Sequence, residues 1–153
     1  EIEFVCLPSR HFSGRGPLNR NYTLWSSWAI KSPGAKIYFS GDSGYGDHFK
    51  KIGKNHGPFD ISLLDCGQYN LAWKYVHMFP FEAILAAKEL RTKYFMPIHW
   101  GGFTLALHPW DEPVIESIKL AEESGLSYIT PRIGEVLSKN TINKPYLKWW
   151  EEY

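Results

Sequence analysis

Residues 59 to 99 constrain the fold most. "FDISLLDCG" (59–67) reads as a strand running into a loop, and "KYFMPIH" (93–99) as a second strand. Between them, after Pro80, "FEAILAAKELR" reads as a helix with Phe81, Ile84, Leu85, Ala86 and Leu90 on its apolar face. Proline suits the start of a helix. A second helix, "DEPVIESIKLAEESG" (111–125), has acids in its first turn and Gly125 as its stop. "SYITP" and "GEVL" then read as short strands, and the tail "YLKWWEEY" shows no clear pattern.

Upstream, "IEFVCLP" (2–8), "YTLWSSWAIK" (22–31) and "KIYFSG" (36–41) read as strands, the last two forming a hairpin across "SPGAK". "RHFSGRGPLNRN" (10–21) reads as a loop. "DHFKKIG" reads as one or two helical turns stopped by Gly53. Strands come first, then strand, helix, strand, helix and strand. That order predicts an α/β fold, a mixed sheet with helices packed on it.

At 153 residues the chain fits one domain or a large part of one. A net charge of +1 gives no broad attraction to nucleic acid, and no apolar stretch reaches the ~18 residues that span a bilayer. Cys6 and Cys66 are too few for a disulfide framework. They read as reduced core residues, with a cytoplasmic setting as the expectation. The chain opens on Glu1 rather than Met, so upstream sequence is expected.

Three stretches share one pattern: a strand ends in a metal-ligating side chain and a glycine-permissive loop follows. They are "CLPSRHFSGR" with His11, "IYFSGDSGYG" with Asp42 and "FMPIHWGG" with His99. Polar groups at strand ends meet at one rim of a sheet, where loops build sites. Two imidazoles and a carboxylate suit Zn²⁺, Mn²⁺ or Fe²⁺. Taken singly, each has a plainer explanation. A histidine after an apolar strand is more often a satisfied core or loop residue, and Asp42 suits an Asx-turn.

"PSRHFSGRGPLNRNYTLWSSWAI", "IYFSGDSGYGDHFKKIG", "GPFDISLLDCGQYN", "VHMFPFEAILAAKEL" and "MPIHWGGFTLALHPWDEP" follow one another in this order. The set resembles the C-terminal half of the metallo-β-lactamase-fold hydrolases, in the branch of the N-acylphosphatidylethanolamine-hydrolysing phospholipases D. The resemblance runs over roughly residues 3 to 137. It implies half of an αββα sandwich, a mixed sheet with helices on one face, and a two-metal site, zinc with manganese or iron as alternatives. It implies that His11 serves one metal, that Asp42 bridges both and that His99 serves the other. A metal-activated water would then attack a phosphodiester, as in a phospholipase D, or a lactone.

The family's His-x-His-x-Asp-His motif is absent: the histidines stand at 11, 48, 56, 77, 99 and 108, with no pair at i, i+2. The expectation is therefore a C-terminal half, residues 1–153, whose N-terminal half lies upstream of Glu1. The alternative is a catalytically incomplete fragment, stable only as a homo-oligomer or with its missing half. A small-molecule or lipid-like substrate is expected, and no nucleic acid.

The resemblance also puts the loop of His77 near the site mouth, with a role at the substrate or transition state; packing at the helix entry is the plain alternative. His108, Gln68, Tyr69 and Asn70 are further candidates to line the cleft. Trp73, Trp100, Phe103 and Trp110 could wall it for an acyl or aromatic group, although seven Trp in a chain that is 16% aromatic argue first for core packing. Arg10, Arg15 and Arg20 flank His11 and could pair with phosphate.

Overall fold

The structure is a computed structural model that describes residues 1–103 and 105–153. Five strands form one sheet in sequential order: β1 (Glu3–Leu7), β2 (Ser27–Lys31), β3 (Lys36–Phe39), β4 (Phe59–Asp65) and β5 (Thr92–Ile98). β1, β2 and β3 are antiparallel neighbours, whereas β3, β4 and β5 are parallel. A parallel pair needs a crossover. Helix α1 (His48–His56) crosses from β3 to β4, and α2 (Pro80–Glu89) from β4 to β5. Helix α3 (Glu112–Glu123) follows β5 and packs on α2.

The register separates two faces. Val5, Ala29, Tyr38, Ser62 and Phe95 are cross-strand partners in one row. All but Val5 are fully buried, and they meet Phe49 of α1 and Ala83 and Ala87 of α2. The next row, Cys6, Trp28, Phe39, Leu63 and Met96, points the other way and is exposed or half-buried. The helices therefore cover one face; the opposite apolar face is only partly covered, the 137–143 segment lying against its Ile37, Ile61 and Tyr94 end.

Several elements differ from the sequence expectation. Helix α1 runs through Gly53 to His56. A Cβ at Gly53 would stand 1.9 Å from the carbonyl oxygen of Glu89, so the glycine allows close helix packing rather than stopping the helix. In α2 the buried stripe is Ala83, Ile84, Ala86, Ala87 and Leu90, while Phe81 and Leu85 are exposed. Small residues let α2 lie close to the sheet. The strand expected over 22–31 begins only at Ser27. "SYITP" contributes a single parallel bridge, Tyr128 to Phe95, and "GEVL" forms no strand. Cys6 lies exposed on the edge strand β1; only Cys66 is a core residue. The tail closes in a short 3-10 turn (Trp149–Glu152) that buries Trp150 against Val114 and Ile118.

Candidate metal centre at the strand ends

Because β1 is antiparallel to β2 and β2 to β3, β1 runs in the same direction as β3, β4 and β5. The C-terminal ends of four strands thus share one rim. His11 follows β1, Asp42 follows β3, Asp65 ends β4 and His99 follows β5.

Asp42 stands between two imidazoles. Its Oδ2 lies 4.0 Å from Nε2 of His11 and 3.8 Å from Nε2 of His99. The Nδ1 of His11 is 2.8 Å from the carbonyl oxygen of Phe12. A carbonyl only accepts, so Nδ1 carries the proton and the Nε2 lone pair is left free. The backbone of His99 is left-handed, at φ 67°. A non-glycine residue in that region is strained, and strain of this kind collects at functional sites.

His77 enters the same space from the segment before α2. Its ring centroid is 5.2 Å from that of His11 and 5.0 Å from that of His99. Its Nδ1 is 2.7 Å from Oδ2 of Asp65, which is fully buried. That oxygen also accepts from the backbone N–H of Ser43 at 3.1 Å. Burial pushes the Asp65 carboxyl up from its ordinary range; the His77 hydrogen bond, the His77 and His99 charges and the Ser43 N–H oppose this.

Ligand atoms of Asp65, His77 and His99 lie within 4.8 Å of one another. Two ligands of one tetrahedral ion, each at ~2.1 Å, stand about 3.4 Å apart. The 2.7 Å between Asp65 and His77 is a hydrogen-bond distance instead.

The remaining candidates divide. The Tyr69 hydroxyl donates to Glu112, and its ring stacks on His108 at 4.3 Å. Asn70 accepts from the N–H of Ala72 at 2.9 Å and caps a short 3-10 turn (Leu71–Trp73). Gln68 holds the loop after His99, accepting from Leu105 and Ala106 and donating to Phe103. Trp100 donates to the carbonyl of Pro97 at 3.0 Å and packs among Trp110, Trp149 and Trp150. Trp73 donates to the Gln68 carbonyl. Arg10 bonds the carbonyl of Tyr45 at 2.8 Å and lies over the Tyr75 ring.

Sequence reading missed Asp65. It carries the same signal as Asp42, an acid at a strand end with a glycine, Gly67, close behind. His48 was also passed over. It is half-buried, and that burial, followed by the charge of neighbouring Arg10, pulls its imidazole down to about 4.

The fold and the rim of histidines and carboxylates define a metallo-β-lactamase fold. Over 85% of this chain and 49% of the other, it superposes on Igni18, a metallo hydrolase from Ignicoccus hospitalis, with a TM-score of 0.65 at 21% identity. The family model of the Beta-lactamase superfamily domain matches residues 1–100, and the chain belongs to that family. An uncharacterized protein of Mycobacterium tuberculosis is 46% identical over 98% of this chain. The N-acyl-phosphatidylethanolamine-hydrolyzing phospholipase D 1 of Caenorhabditis elegans is 36% identical over 88%. The chain spans 41% and 40% of the lengths of those two relatives. No helix among the described residues is long and apolar enough to cross a membrane.

Proposed function

We propose that this chain supplies one half of a hydrolytic metal centre in which His11, Asp42 and His99 are ligands. The carrying observation is the Asp42 oxygen within 4.0 Å of both imidazoles. These separations are near the ~3.4 Å expected for two ligands of one ion, so Asp42 is suited to be shared. The donors are imidazole nitrogen and carboxylate oxygen, which fit zinc, with manganese or iron as alternatives. When bound, the metal pair supplies a water acidic enough to ionise near neutral pH.

The chain's own residues have separate tasks. His11 offers Nε2 because its Nδ1 is occupied by a carbonyl. Asp42 would supply the negative charge that a pair of cations held here requires. His77, held by Asp65, meets the substrate at the reacting group. Tyr69 and Asn70 follow β4, Trp100 and His108 follow β5, and we assign them to substrate contact. The favoured substrate is a lipid-like phosphodiester, with a lactone as the runner-up; the C. elegans phospholipase D relative supports the former.

The remaining ligands belong to an N-terminal half bearing His-x-His-x-Asp-His, and we assign the open part of the sheet face as the surface that half covers. That open part also favours a second reading, a catalytically incomplete chain that associates with copies of itself.

The test is metal analysis of the complete protein, followed by hydrolysis assays of phosphodiesters against lactones. Bound metal that is lost in His11→Ala and His99→Ala, with turnover of one substrate class, is the expected result. Metal-free protein, or full activity in both variants, would overturn the proposal.

A further inference from the structure

We propose that Asp65 is a positioning residue, whose carboxylate fixes the His77 ring with Nδ1 protonated and turned inward, so that Nε2 is the nitrogen offered to the site. Its consequence for catalysis rests on the hydrolytic reading above; its geometry does not.

Asp65 is itself rigidly held. It pairs with Ile98 in the sheet, and its backbone N–H donates to the Ser40 hydroxyl at 2.9 Å. Its Oδ2 faces Nδ1 of His77 at 2.7 Å. The N–H of Ser43 on the same oxygen favours the ionised form against burial, and an ionised carboxylate accepts only, so the proton in that contact belongs to Nδ1. The opposite tautomer would set two lone pairs against each other in a buried space. The ring is stacked on that of His99 and meets that of His11 edge-on, and protonation at Nδ1 leaves Nε2 as its unprotonated nitrogen.

Packing alone does not call for this acid. Its Oδ1 is buried with no partner among the described residues, a costly arrangement that an apolar side chain would avoid. What the acid provides is orientation. Nε2 can then take a proton from an attacking water, and return it to a leaving oxygen.

The experiment is long-range proton–nitrogen correlation NMR of the complete protein, labelled with ¹⁵N-histidine, stripped of metal and held at pH 8. The His77 signals are those that vanish in His77→Gln. The wild-type ring is expected as the Nδ1–H tautomer, with Asp65→Ala shifting it toward Nε2–H. In the metal-loaded enzyme, Asp65→Ala should lower kcat about 100-fold, with KM and metal content nearly unchanged. An Nε2–H ring in the wild type overturns the proposal even if Asp65→Ala fails to fold. So does a tautomer unmoved in a folded Asp65→Ala. An Nδ1–H ring lost in Asp65→Ala, in a protein without hydrolytic turnover, supports the positioning role and overturns the hydrolytic reading instead.

Discussion

Gly67 passes directly beneath the backbone of His99: a Cβ on Gly67 would stand 1.9 Å from the His99 carbonyl oxygen and 3.0 Å from the nitrogen of Trp100. The obstacle is backbone, which cannot swing aside as a side chain can. Gly67→Ala should destabilise the protein by about 2–3 kcal/mol, because over-packing a filled core forces the chain apart. Urea denaturation measures the loss. A Gly67→Ala protein with an unchanged midpoint would mean that the two loops are not in contact.

Asp42→Asn keeps the shape of the side chain and removes its charge. In the complete protein it should reduce bound metal and lower turnover at least ~100-fold, more than the usual effect of losing a residue behind a ligand. Metal content by mass spectrometry and rate by substrate assay check both parts. Normal values in both would remove Asp42 from the centre.

His48 makes stability pH-dependent. Its imidazole is pulled down from 6.5 to about 4 by burial and then by Arg10. Below pH 6.5 the unfolded chain therefore takes up a proton that the folded one refuses. Stability from this group is complete above pH 6.5 and falls as pH drops from about 6.5 to about 4. The ring keeps an exposed edge, so the loss is on the order of 1–2 kcal/mol rather than the full shift. His48→Phe should flatten this part of the curve in urea titrations between pH 7 and pH 4. A variant with the wild-type slope would show that another group is responsible.

The open part of the sheet's apolar face should control association. Trp28, Phe39 and Leu63 sit on it, with Phe39 39% exposed. Covering several hundred Å² of apolar surface is worth on the order of 10 kcal/mol at ~25 cal/mol per Å². Light scattering should find the 153-residue chain associated, and Phe39→Lys with Leu63→Lys should reduce the association. A monodisperse wild-type monomer that binds no hydrophobic dye would show that the face is not a contact surface.

The strand–helix–strand segment was legible because its periods are long and its punctuation strong: Pro80 opens α2, and the parallel neighbours β4 and β5 flank it. His11, Asp42 and His99 were legible as candidates because each follows an apolar strand and precedes a glycine-bearing loop. Gly53 misled because the sequence shows only an absent side chain. Whether that ends a helix or admits a neighbour depends on Glu89, which is 36 positions away. Phe81 and Leu85 misled for a related reason. Hydrophobicity names residues that gain by burial, but the face that meets the sheet was chosen by the alanines that fit.

By itself, then, the sequence determined the α/β order, the apolar strands and the residue types able to hold a metal, because these depend on local pattern and composition. Tertiary structure alone decided that β1 runs with β3, β4 and β5, which brings His11 to the same rim as Asp42 and His99. It alone set Asp65 behind His77, since the two are 12 positions apart and no local rule joins them. Strand direction and long-range pairing are fixed by which faces bury together, and that is a property of the whole sheet rather than of any one segment.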